Sequence, residues 1–313
     1  MIRLFAALLT CVAVVVSPVR ADTIKIVVPF AAGGPVDTLG RLLAAELQSR
    51  LGVDVIVENR GGAGGVLGTE AVARAPADGK TLLLASLGSH VISASLRPQL
   101  AYDPVKSFMP VVLMGSVPSL LVVRADFPAQ SLAELIAKAK QGNLSYGSAG
   151  PGTTMNIAGE LFNAAAGVKT AHVPYRGAGP AITDLFGGHI DFLNADLPVL
   201  LPLVTGNKVR ALALFGTERS ALLPSVATTT ELGFPDMIME NWYGIFAPRG
   251  IAPEQQATLE KAVLDVVKIP GVAEKLAAGG LHGTTDGKGF AIRLERDVAY
   301  WGPQIKKLGI TGE

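Results

Sequence analysis

The feature that most constrains this chain is an alternation. Runs of β-branched residues hand over repeatedly to helical patterns, and the first handover is VVPFAAGGPVDTLGRLLAAEL, residues 27–47. TIKIVVPF, residues 23–30, is rich in Ile and Val and reads as a strand. Its last residues are apolar without alternation, as in a parallel strand buried on both faces. Leu39, Leu42, Leu43 and Leu47 follow at helical spacing. VDVIVEN (53–59) reads as the next strand, GVLGTEAVARA (65–75) as a helix and TLLLASLG (81–88) as a third strand. Strand, helix, strand, helix, strand is the grammar of a parallel α/β sheet.

The grammar then restarts. MPVVLMGSVPSLLVVRA (109–125) contains strand-like runs broken by Gly115 and Pro118. SLAELIAKAKQG is a helix, with Ser131 and Glu134 spaced as a capping box. LSYGSAG is a strand with a glycine-rich exit, TTMNIAGELFNAAAG a helix and KTAHVPYRG a strand. AITDLFGGHIDFLNADLP adds a short helix and a strand, and VRALALFG and NWYGIFAPRG two strands more. PEQQATLEKAVLDVVK, GVAEKLAAGG and Phe290 to Leu308 read as closing helices. The opening event, a strand, a glycine-proline turn and a helix, thus recurs at residues 144–165.

Composition bounds what such a chain can be. At 313 residues, 49% hydrophobic and 17% charged, it can bury a substantial core and suits two modest domains. A formal charge of +1 without a Lys/Arg cluster excludes a phosphate-tracking surface, so no nucleic-acid partner is expected. Arg3, the apolar stretch LFAALLTCVAVVV (4–16), and Val19 and Ala21 at the minus-three and minus-one positions read as an export signal, residues 1–21. The expected location is therefore the periplasm. Cys11, the single cysteine, falls inside that segment, so the mature chain has no disulfide. Loss of Arg3 and Arg20 moves the formal charge to −1.

The two glycine-proline turns are candidate anion sites. A helix start leaves backbone N–H groups without internal partners. Pro35 fits the first helical position, Asp37 the first turn, and Gly33 and Gly34 let the backbone approach a ligand. SAGPGTTMN (148–156) offers the same parts, with hydroxyls on Ser148, Thr153 and Thr154. Taken alone, each turn is more often only a helix start. NRGGAGGVLG (59–68) fails the dinucleotide fingerprint, because Leu67 stands where the third glycine belongs, and reads as a tight loop near the same cleft. His90, His172, His189 and His282 show no metal-ligand spacing, and GxSxG and P-loop motifs are missing. A binder is expected rather than an enzyme, with no cofactor.

These blocks carry a resemblance. VVPFAAGGPVDTLGRLLA, VIVENRGGAGGVLGTEAVARAPADGKTLLLA, YDPVKSFMPV, LSYGSAGPGTTMNIAGELF, HVPYRGAGPAITDLFGGHIDF and RSALLPSVATTTELG with WYGIFAP together resemble the substrate-binding proteins of tripartite tricarboxylate transporters, the Bordetella-type extracytoplasmic solute receptors. The resemblance covers nearly all of residues 22–313. It implies a type II periplasmic binding protein fold, two α/β lobes with a ligand cleft between them. Lobe 1 would comprise 22–120 and 245–313 and lobe 2 121–244, with crossings near 119–125 and 239–246. It implies a ligand carboxylate held by the first turn (Phe30, Ala32, Gly34, Asp37) and the second (Ser148, Gly152, Thr153), with Asp196 and His90 also lining the cleft. Two positions depart from the family pattern: Asn156-Ile157 stands where His-Leu is common, and FLNADLP where Phe-Asp-Asn/Ser-Leu-Pro is. The implied ligands are di- and tricarboxylates, acidic amino acids or aromatic acids. The implied partner is a membrane permease, the protein itself being a monomer. The alternatives are a receptor serving a sensor kinase, an exported enzyme, or a structural secreted module.

Overall fold

The computed structural model describes residues 23–97 and 99–310; the expected export signal, residues 1–21, and Cys11 lie outside them. The elements are β1 (Thr23–Val28), α1 (Pro35–Leu51), β2 (Asp54–Asn59), α2 (Val66–Ala73) and β3 (Thr81–Ser86). A π-turn at Gly88–Ile92 runs into the short α3 (Ser93–Ser95). Then come β4 (Phe108–Arg124), α4 (Leu132–Lys140), β5 (Ser145–Ser148), α5 (Thr154–Ala166), β6 (Ala171–Pro174), α6 (Ala178–Gly187), β7 (Phe192–Asp196), α7 (Leu197–Thr205) and β8 (Val209–Phe215). The chain ends with β9 (Glu240–Pro248), α8 (Pro253–Val267), α9 (Pro270–Ala278), β10 (Thr285–Asp286) and α10 (Gly287–Lys307).

The strands order as β2-β1-β3-β9-β4-β7-β5-β6, with β10 and β8 also paired to β4. β1 is parallel to β2 and β3, and β5 is parallel to β6 and β7, so each half keeps a parallel core. The runs expected to be separate strands around Gly115 and Pro118 are instead one strand of 17 residues, about 55 Å long. The register of β4 against β9 shifts between Leu113 and Gly115, so the glycine bends the strand rather than ending it. Residues 108–118 pair with β9, while 119–124 pair with β7 and β8. Pro118 therefore sits where one half of the sheet passes to the other. β9 pairs with the first half from Glu240 onward, so the chain returns to that half near 239–240.

The molecule is thus an α/β protein of two lobes joined at a sheet crossing. Hydrophobic clusters fill both faces. One centres on Ile26, Leu43, Leu82 and Ile245 under α1 and α8. A second lies under α6 and α7 around Leu185, Leu193 and Leu200. The third runs through both lobes, from Leu83, Phe246 and Trp242 to Tyr146, Phe162 and Phe192. Among the described residues no helix is long and apolar enough to cross a membrane.

Candidate functional site

Each lobe presents a helix start to the boundary between them. In the first turn, Gly33 has φ +87°, Gly34 is the N-cap of α1 and Pro35 occupies its first position. Asp37 folds the turn back on itself. Its Oδ2 accepts from Gly33 N (2.8 Å) and Arg41 Nε (3.0 Å), and its Oδ1 from Asn59 Nδ2 (2.9 Å). Burial alone would raise the Asp37 pKa. The bonds from Arg41, Gly33 and Asn59 win and hold it below the usual aspartate range. Both oxygens are committed to protein donors, so Asp37 shapes the turn. The N–H groups of Val36 and Asp37 are left for an outside acceptor by helix geometry. Phe30 packs on the lobe 1 core and its carbonyl accepts from Asn59 Nδ2, while Ala32 is exposed.

The second turn is built the same way from different residues. Thr153 is the N-cap of α5; its Oγ1 accepts from Asn156 N (3.4 Å) and donates to Gly150 O (2.7 Å). Gly152, at φ +76°, donates its N–H to Asn156 Oδ1 (3.1 Å). Ser148 is fully buried, with its Oγ 2.6 Å from His172 Nε2. The side chains are again consumed in holding the loop, and the N–H groups of Thr154 and Met155 face outward from the helix start.

The glycine loop expected near the cleft joins the two turns. A methyl group at Gly61 would lie 3.1 Å from Ala31 N, and one at Gly65 3.5 Å from Pro29 O. On its other side, a methyl at Gly64 would lie 3.3 Å from Pro151 O. The π-turn makes a similar contact, since a methyl at Gly88 would stand 3.3 Å from Thr154 N. One at Gly152 would stand 2.5 Å from Leu96 Cδ1. The lobes are therefore closed on each other here, and bare backbone is what allows the approach. Cavities of about 440 Å³ (Ala94 to Ser107) and 370 Å³ (Pro151 to Ile310) lie beside this contact rather than between the turns.

One cleft assignment changes. His90 does not line the cleft. It is fully buried, stacked on Phe246 (centroids 4.1 Å) and edge-on to Phe108 (4.8 Å), with Nε2 donating to Pro104 O at 2.8 Å. Burial pushes its pKa down to about 4, so it is a neutral core residue. Asp196, expected to line the cleft, also ties the lobes. It ends β7, and its Oδ2 accepts from Asn241 Nδ2 (2.7 Å) and from the Tyr243 hydroxyl on β9. Burial raises its pKa against both of those bonds. Asn241, Tyr243, His172 and Asn156 hydrogen-bond to the expected site residues without having been among them. The only sequence signal for them was the position of Asn156 in the first turn of α5. Among the described residues Asn194 Oδ1 and Nδ2 and Asn241 Oδ1 are buried without a partner, as expected where a ligand or ordered water completes the bonding.

Known proteins show the family and the fold. A family model, the tripartite tricarboxylate transporter family receptor, matches residues 39–310. The chain belongs to this family. The chain is 36% identical to BugT of Bordetella pertussis over 85% of its length and 84% of that protein's. MatC of Rhodopseudomonas palustris, solved with bound malate, superposes with a TM-score of 0.83 at 33% identity, covering 90% of this chain and 98% of that one. A second R. palustris protein, solved with adipate, gives 0.87 at 32% identity, covering 92% and 98%. As a receptor of this family the chain is a solute-binding protein of the type II periplasmic fold and not an enzyme. Among the described residues no group of three or more His, Cys, Asp or Glu is arranged to hold a metal ion.

Proposed function

We propose that this receptor captures a small organic carboxylate in the periplasm and, as a monomer, delivers it to the membrane permease of a tripartite tricarboxylate transporter. The observation that carries the reading is the pairing of helix starts. α1 and α5 come from different lobes, each begins at a glycine-proline turn, and in each the side chains are spent on the loop. What remains is a set of backbone donors at two positive helix ends, which suits one anionic group and no particular carbon skeleton. The skeleton would be read elsewhere, and the unpartnered amide of Asn194 and the Asn241 carbonyl supply polar groups for that. The malate and adipate held by relatives point to aliphatic dicarboxylates as the first acids to try.

Thermal-shift and calorimetric titration of the mature protein against an organic-acid panel tests this directly. An acid that binds should raise Tm by mass action; at a ligand concentration of a hundred times Kd the gain is about 2.7 kcal/mol. A panel of di-, tri- and aromatic acids that leaves Tm unmoved, with no acid co-purifying in native mass spectrometry, overturns the reading.

A further inference from the structure

Ser148 ties the second turn to a titratable group. Its Oγ lies 2.6 Å from His172 Nε2, accepts the Gly150 N–H at 3.0 Å, and stands 3.2 Å from Gly150 O. A hydroxyl has one proton to give. With the imidazole proton on Nε2, the ring donates to Ser148 and Ser148 donates to Gly150 O. With that proton on Nδ1, the hydroxyl must serve the ring, and the Gly150 carbonyl loses it. A second proton on the ring selects the first arrangement. It also puts a positive charge one hydrogen bond behind the turn.

The surroundings let that proton come and go. His172 is half-buried on β6, its ring stacked on Tyr146 of β5 with centroids 4.9 Å apart. From α5, Glu160 accepts from the Tyr146 hydroxyl at 2.5 Å, and Asn156 Nδ2 donates to that same hydroxyl at 2.8 Å. His172, Glu160, Asn156 and Pro151 line the 370 Å³ cavity together with Leu308, Gly309 and Ile310, which bring no side-chain charge. Burial lowers the His172 pKa below its usual value, and the nearby Glu160 charge opposes that. The ring is therefore neutral at pH 7 and gains its proton only on the acid side of the usual histidine range.

We infer that His172 is a positioning residue for the carboxylate site: through Ser148 it fixes the Gly150 peptide, and an anionic ligand binds more tightly once the imidazole is charged. This rests on the carboxylate reading above. Linkage makes the effect reciprocal, so the ligand also makes the ring easier to protonate.

The test is calorimetry of the mature protein with malate and with adipate at pH 7.5 and pH 6.0, where carboxylates stay mostly ionised. The parent should tighten as pH falls, by up to about tenfold for each unit the ligand adds to the His172 pKa. His172→Gln keeps a donor but cannot charge, so its affinity should be flat across the window. At pH 7.5 it should bind more tightly than His172→Phe, which has no donor. NMR titration of the ring should give a higher His172 pKa with acid bound than without. Glu160→Gln should leave a pH slope in place. A His172→Gln variant with the parent's slope, or a His172 pKa blind to ligand, overturns the inference while leaving carboxylate binding intact. If neither malate, adipate nor any panel acid binds at any pH, the carboxylate reading falls and takes this one with it.

Discussion

Asp37 puts a negative charge into a turn that, under the proposed function, receives another, and its bonding explains how both would fit. Arg41, Gly33 N–H and Asn59 absorb the carboxylate, so little of its field is left to repel a ligand. Asp37→Ala should cost about 1–2 kcal/mol of stability, from the lost bonds to Gly33 N–H, Arg41 and Asn59. It should also loosen ligand binding. Because the folded pKa is depressed, this stability is present above the unfolded value and is lost as pH falls through the folded one. His90 works in a different window. Its folded pKa of about 4 lies below the usual 6.5, so between these values the unfolded chain binds the extra proton. Stability is complete above pH 6.5 and falls toward pH 4, by roughly 3 kcal/mol. His90→Phe should flatten that limb in urea melts taken from pH 7 to 4. A limb of unchanged depth would assign the acid sensitivity to other groups.

At the scale of elements, the start of α5 is where conformation and contact are demanded together. Gly152 holds a positive φ and stands against Leu96 of the opposite lobe. Gly152→Ala should lose about 1–2 kcal/mol to backbone strain, and should lower affinity further by forcing the lobes apart. Equilibrium unfolding reads the first loss and calorimetry the second. The start of α5 was legible from SAGPGTTMN because a proline, a glycine and a Thr cap are local signals. So was the Ser131 cap of α4, whose Oγ accepts from Glu134 N; the Glu134 carboxylate accepts from Gln130 N, one residue before the cap, so the expected box forms only in part. The continuity of β4 was not legible. Gly115 and Pro118 look like breakers in isolation, and only the partners on β9, β7 and β8 turn them into a bend and a crossing.

For the whole molecule, the described conformation is one in which the lobes touch through Gly64, Gly88 and Gly152. Gly88 has an ordinary φ, so a larger residue there tests the contact rather than the backbone. Gly88→Leu should wedge the π-turn away from Thr154, enlarge the radius of gyration in solution scattering and weaken carboxylate binding by more than about tenfold. A variant as compact as the parent, with the parent's affinity, would show that the closed contact does not govern binding. The crossing itself is held by Asp196 with Asn241 and Tyr243, which link β7 of one lobe to β9 of the other.

The sequence alone determined the alternation of strands and helices and the two glycine-proline helix starts. Periodicity, φ demand and capping act over a few residues, so they are written where they operate. Only the tertiary structure decided what the polar side chains do. His90 turned into the aromatic core, Asp196 met Tyr243 47 residues away, and Ser148 met His172 24 residues away. Those pairings follow from which strand lies beside which and from the face each side chain takes. Neither is stored in any local stretch of chain, because the free energy that fixes them comes from burying both lobes at once.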